Sequence, residues 1–356
     1  MRKIILLITL IISLFGCNKK EEDKILNTKT VVVSKLKTNE IDKQKLATFL
    51  NQFEVESQFF TVSSTNSSKI TGKKGTIIRI NPSDLELENG DKIIGQLIIE
   101  LKELTNQKEL FKNNTQTVSN GKLLISGGSY YIDITSDGKK INLKKGKSIN
   151  INFPKITSKK MELFYGERNE LKQMNWTPTN IAFTSEIPKT KNDAKFVLDT
   201  LTSDESNFND LLSYIENGED NVPKKDIKRI DKIDKKIYQS MNIQRLGWIN
   251  CDAFYNETTE KLTIIYKSEN ELDFVNAFIL YKNINSVMNL FSEKRTELIN
   301  EINFPINQKI KIIGFSFKND KFYFGVKELT TTKGIPIEIN FREVTEKELN
   351  EVIKNI

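Results

Sequence analysis

The chain has 356 residues, with 54 Lys and Arg against 47 Asp and Glu, and contains no histidine. Without an imidazole, Ser-His-Asp and Cys-His nucleophilic catalysis, His-ligated zinc and histidine acid–base chemistry are excluded. The basic surplus is spread along the chain rather than gathered into a stripe with interleaved aromatics, so no nucleic-acid partner is expected. A hydrophobic content of 38% supplies packed cores for about two domains of ordinary size.

Arg2 and Lys3 open the chain, Ile4 to Phe15 is apolar apart from Thr9 and Ser13, and Leu14-Phe15-Gly16-Cys17 closes the run. Basic residues, a short apolar core and a small residue before the cut read as a signal peptide. A membrane-spanning helix needs about twenty apolar residues, and Lys19-Lys20-Glu21-Glu22-Asp23 stops this run short. A plain secretory signal would favour an Ala-x-Ala cut, which is absent. The closing residues resemble the lipobox of bacterial lipoproteins. That resemblance implies that residues 1–17 are a lipoprotein signal whose Cys17 receives a diacylglycerol and becomes the first mature residue. The protein is then expected to be exported and anchored by lipid, with 52 basic side chains against 47 acidic ones, a balance of +5. Cys251, the other cysteine, is left without an intramolecular disulfide partner and is read as a buried small hydrophobe.

Residues 18–52 read as a tether. Glu21-Glu22-Asp23 resembles the surface-export signal of Bacteroidetes lipoproteins, which implies display on the outer face of the outer membrane; a charged, solvated linker is the alternative. Residues 53–155 change to short strands separated by turn residues: Gly75 to Ile80, Gly95 to Lys102, Leu123–Ile125, Tyr130–Ile134 and Ile149–Phe153, with Asn89-Gly90-Asp91, Asn120-Gly121, Gly127-Gly128 and Asp137-Gly138 between. This spacing predicts a β-sandwich. Gly75-Thr76-x-Ile78-x-Ile80-x-Pro82, followed by a strand ending in Glu100-Leu101-Lys102-Glu103, is similar to the sandwich domain that ankyrins and netrin receptors share with the zonula-occludens scaffold protein. The resemblance implies a binding module. The self-cleavage of some members, which occurs beside a histidine, does not carry over.

Residues 156–192 read as a β-hairpin extension through Met161–Glu167 and Met174-Asn175-Trp176. Residues 193–241 read as a helical connector, in which Ile227, Ile230, Ile233 and Ile237 recur at helical spacing. Residues 242–356 read as a second β domain with strands near Leu262–Tyr266, Phe274–Tyr281 and Ile335–Phe341, and a hairpin across Lys318-Asn319-Asp320-Lys321. Thr345-Glu346-Lys347-Glu348 is a capping box opening a short terminal helix. Ser126-Gly127-Gly128, Phe164-Tyr165-Gly166-Glu167, Asn175-Trp176 and Leu246 to Asp252 together resemble a family of uncharacterised Bacteroidetes lipoproteins, a likeness that implies no activity.

The expected fold is therefore mainly β, two β-sandwich-like domains joined by a helical connector, with a short C-terminal helix. Tyr165, Trp176, Trp248 and Asp252 are the candidate binding residues. The competing reading packs the aromatics and Cys251 and has Asp252 bond a turn, since Cys251 and Asp252 face opposite ways on a strand and the thiol lacks an activating base. Glu100, Glu162, Glu167 and Asp252 are candidates for a glycosidase carboxylate pair, without any pair standing out. Glu86, Glu88, Asn89 and Asp91 surround one turn that could hold calcium. No cofactor is expected. The expected role is a lipid-anchored binding or structural module at the cell envelope, engaging another envelope protein or a surface polymer. A carboxylate-based glycan hydrolase or a carbohydrate-binding surface protein is the alternative.

Overall fold

The computed structural model describes residues 39–157, 159–170, 172–185, 238–256, 258–294 and 298–356. Within them the chain is mainly β, as its alternating apolar residues dictate. The signal segment, the acidic run and the helical stretch up to residue 237 lie outside the described residues.

The first unit is a sandwich. The long sheet runs in the antiparallel order Gln58–Ser63, Gln96–Leu104, Lys122–Ser136, Gly247–Phe254, Glu162–Arg168 and Met174–Ala182. The facing sheet runs Thr184–Ser185, Tyr238–Ile243, Ile149–Pro154, Ile77–Ile80 and Ser68–Thr71. Every second side chain of each sheet turns inward, so Ile78, Ile151 and Phe153 meet Leu101, Ile132 and Ile249 in one continuous core.

Three boundaries differ from those expected. The 156–192 hairpin is an integral part of the long sheet, and the strands at Tyr238–Ile243 and Gly247–Phe254 belong to this sandwich rather than to the second unit. Hydropathy marks a strand but not its partner, so the sequence alone does not reveal that the strand from residue 247 enters the centre of the first sandwich. Tyr238–Met241, the described end of the expected connector, is strand as well. Leu123–Ile125 and Tyr130–Ile134 are one strand, Lys122–Ser136, that runs through Gly127-Gly128. A Cβ on Gly127 would lie 2.7 Å from the Cys251 carbonyl oxygen, and one on Gly128 would lie 2.5 Å from the Tyr130 hydroxyl. These glycines therefore permit close approach rather than a turn.

The second unit is a seven-stranded sheet in the order Val287–Glu293, Phe274–Tyr281, Lys309–Lys318, Lys321–Thr330, Ile337–Val344, Thr259–Ser268 and Ile299–Pro305. Among the described residues, its only parallel pairing joins Thr259–Ser268 to Ile337–Val344. The hairpin across Asn319-Asp320 forms as expected, both residues taking positive φ. One face encloses Ile264, Ile279, Tyr281, Ile312 and Ile339. The opposite face presents Phe278, Ile313, Phe315 and Phe324 to three helices.

Those helices are 39–51, Gln107–Lys112 and Glu346–Asn355. The first overturns the tether reading of its residues. Leu46, Phe49, Leu50 and Phe53 recur at three- and four-residue spacing and dock on the sheet, with the Phe49 and Phe322 rings 4.6 Å apart. Lys43 bonds Glu293 at 2.8 Å and lies over the Phe291 ring. The terminal helix carries the expected capping box at Thr345 and Glu348.

Backbone and amide bonds join the units. Thr117 N–H donates to Val287 O at 2.7 Å, and Ser126 N–H to Asn285 O at 2.9 Å. Asn285 Nδ2 donates to the carbonyls of Thr105 and Ser126, and Gln107 Nε2 to those of Tyr281 and Ser286. These bonds satisfy much of the junction's buried polar surface, although Asn285 Oδ1 has no partner among the described residues.

Candidate functional site

The four sequence-predicted residues fall on both faces of the long sheet. Trp176 and Trp248 stand opposite Gly166 on the two strands flanking it. A Cβ at Gly166 would collide with the Trp176 ring and lie 2.7 Å from Met174 Sδ, so the glycine makes room for the indole. Trp176 is fully buried with Leu124, Phe164 and Met174, and its Nε1–H donates to Gln116 O at 2.7 Å. Trp248 is half-buried beside Tyr131. Tyr165 faces the sandwich core; its hydroxyl accepts from Gln244 N–H at 3.1 Å, and Arg245 lies over its ring.

Asp252 is fully buried in a polar node. Asn250 Nδ2 donates to Asp252 Oδ2 at 2.5 Å, while Asn250 Oδ1 accepts from Ser126 and Ser129. Asp252 Oδ1 has no hydrogen-bond partner among the described residues. Burial pushes this carboxyl well above the usual carboxylate range, against the lowering influence of neighbouring Ser126, Asn250 and Gly127. Burial likewise holds the Cys251 thiol far above its ordinary value. Cys251 packs in the sandwich core, on the opposite face of the strand from Asp252. Neither group reaches solvent, so neither Asp252 nor Cys251 forms an accessible site.

Arg168 was not singled out by sequence, yet it organises the sheet end. Its guanidinium donates to the carbonyls of Asn113, Asn114 and Lys172 and to Thr115 Oγ1, and stacks 4.9 Å from the Trp248 ring. Desolvation pulls it down to about 10, which leaves it charged at neutral pH. Arginine is suited to this place because its planar fork can satisfy several carbonyls at once.

Beyond Arg168 opens a cleft of about 660 Å³ between the units, within the usual range for ligand sites of about 300–1,000 Å³. The first unit contributes Gln116, Val118, Asn169, Gln173, Met174 and Asn175; the second contributes Met288, Asn289, Leu290, Ile302 and Asn303. Carboxamides are chained across it. Asn169 Nδ2 donates to Gln173 Oε1, Gln173 Nε2 to Asn289 Oδ1, and Asn289 Nδ2 to Asn276 Oδ1, at 2.9, 2.5 and 2.6 Å. Gln116 is buried, and its Oε1 has no partner among the described residues. The two charged residues of the lining are already engaged, Glu167 with Arg245 at 3.1 Å and Arg168 with carbonyls. The cleft thus carries one exposed carboxylate at its rim, with amides and apolar patches inside.

Of the acids considered for glycan hydrolysis, only Glu167 lines the cleft. Glu100 accepts from Ser57 Oγ on another strand, and Asp252 is enclosed. Around the candidate calcium turn, Asn89 Nδ2 donates to Asp91 Oδ2 at 2.6 Å, and no group of three acidic, cysteine or histidine side chains converges among the described residues. No helix there is long and apolar enough to cross a membrane. The amides of the cleft escaped sequence reading because Asn and Gln are common in loops and carry no spacing signature; only the pairing of the two units collects them.

The fold and cleft define a mainly β, sandwich-like protein with a junctional pocket. A scan against protein-family models finds no matching family, and a search of curated proteins finds no match.

Proposed function

We propose that this chain is a lipid-anchored envelope protein of a Bacteroidetes-type cell that acts as a binding module, with Cys17 as the lipidated residue and the cleft between the two β units as its ligand site. The observation that carries this reading is the amide-chained cleft, in which Arg168 is spent on backbone carbonyls and Glu167 is a largely exposed rim residue paired with Arg245. Burial of Trp176 and the stacking of Trp248 under Arg168 further favour a module over a sugar-stacking platform. Lipid anchoring rests on the Leu14-Phe15-Gly16-Cys17 sequence, and display at the cell surface on Glu21-Glu22-Asp23.

The test sets binding against hydrolysis. Full-length protein is incubated with purified surface polysaccharide and with solubilised envelope proteins, and both reducing-end release and ligand retention are measured. The module reading predicts retention without new reducing ends. Release that disappears in Glu167→Gln would make the protein a glycan hydrolase.

A further inference from the structure

Among the described residues, the seven-stranded sheet ends in two edges without a strand partner, and they belong to consecutive strands, Val287–Glu293 and Ile299–Pro305. Consecutive antiparallel arms ordinarily zip together. Among the described residues no ladder joins them; side chains link them instead, Ser292 Oγ donating to Ile299 O and Asn300 Nδ2 to Phe291 O, each at 3.3 Å. Farther along, both arms line the cleft, at Asn289 and Leu290 on one and Ile302 and Asn303 on the other.

The pairing registers fix which backbone groups face the gap. Tyr281 N–H donates to Ser286 O, and Tyr266 N–H to Leu298 O. Hydrogen-bonded pairs alternate along an antiparallel ladder, so Val287, Asn289 and Phe291 turn their backbone groups away from Phe274–Tyr281. Glu301 and Asn303 likewise turn theirs away from Thr259–Ser268. Thr117 satisfies Val287; no hydrogen bond to the backbone of Asn289 or Asn303 from outside the sheet is found among the described residues. What remains is short: Asn289 and the Phe291 N–H on one edge, and Glu301 and Asn303 on the other, with the cleft lined from both sides. The side chains between them alternate: Met288, Leu290 and Ile302 belong to the apolar interior, while Asn289 belongs to the amide chain.

We propose that the cleft takes an extended, uncharged peptide segment of a partner protein, added as a strand between the Val287–Glu293 and Ile299–Pro305 edges. This deepens the binding-module reading and rests on it. Main-chain bonds to both edges supply affinity, apolar residues at every second position enter the sheet interior, and uncharged polar residues meet the carboxamides. A glycan, the other neutral ligand, would leave both edge rows without matching main-chain partners.

The test uses the full chain and an acetylated, amidated heptapeptide alternating valine and threonine, with binding followed by calorimetry. The same peptide N-methylated at alternate residues tests the backbone mode on the wild-type protein. Replacement N303P removes one edge N–H at a position where an edge strand tolerates proline, and N303A keeps it. We expect N-methylation and N303P each to weaken binding at least about tenfold, and N303A to change it less than about threefold. Equal binding of the methylated peptide, equal losses in N303P and N303A, or binding of maltohexaose in place of the peptide would overturn the proposal. If the peptide fails while the chain still retains envelope proteins, strand addition is overturned and the module reading survives.

Discussion

Asp252 shows how a reactive-looking sequence becomes a structural group. It sits beside Cys251 in a compact aromatic signature, yet its strand lies at the centre of the long sheet with both faces covered. Its carboxyl is raised in the fold, chiefly by burial. A carboxyl raised in this way contributes stability that is full below its unfolded value near 4 and is lost as pH climbs through the folded value. Asparagine carries no such proton. The melting temperature of D252N relative to wild type should therefore rise between about pH 5 and about pH 8, and a difference that stays flat would contradict this account. Trp176 makes a second case. Replacement by phenylalanine keeps a ring but strips Gln116 O of its indole donor, and chemical denaturation should report a loss of about 1–3 kcal/mol.

At the scale of elements, residues that met their requirement locally were legible. The Lys318–Lys321 hairpin needs two positive-φ residues, and Asn319-Asp320 supply them. The Thr345–Glu348 box announces its helix by side chains three residues apart, and T345A should cost about 1 kcal/mol in a denaturant titration. Elements whose logic is tertiary were missed. Helix 39–51 hides the apolar residues Leu46, Phe49 and Leu50 among lysines and acids, with Phe53 just beyond its end. In the edge strand Val287–Glu293 the half-buried Phe291 and the buried Ser292 invert the alternation, and Ile299–Pro305 has few buried positions to mark one. Gly166 looked like part of an aromatic motif but is a vacancy shaped for Trp176. G166A should lower the melting temperature through overpacking worth about 1–3 kcal/mol.

At the scale of the whole molecule, mainly β architecture followed from turn spacing, whereas the division between units did not. The chain visits the long sheet up to Ala182 and returns to its centre at Gly247, so the first sandwich is assembled from two separated stretches. The cleft is a product of that return, because Glu162–Arg168 and its hairpin arm are placed against the second unit only when Gly247–Phe254 slots between them and Lys122–Ser136. No stretch of sequence contains the site, which explains why composition and motifs pointed to buried aromatics instead. At this scale the proposed lipid anchor also makes a prediction. Cys17→Ser should lose metabolic labelling by an alkyne fatty acid and leave the membrane fraction, and retention of label would contradict the lipobox assignment.

The most direct measurement places a photo-crosslinking amino acid at Asn303 in the cleft, or at exposed Ile335 as a control, and irradiates intact cells. The account predicts a discrete protein adduct from position 303, none from position 335, and loss of the adduct when intact cells are first treated with protease. Equal adducts from both positions, or none from position 303, would contradict the cleft as the place where this protein meets its partner.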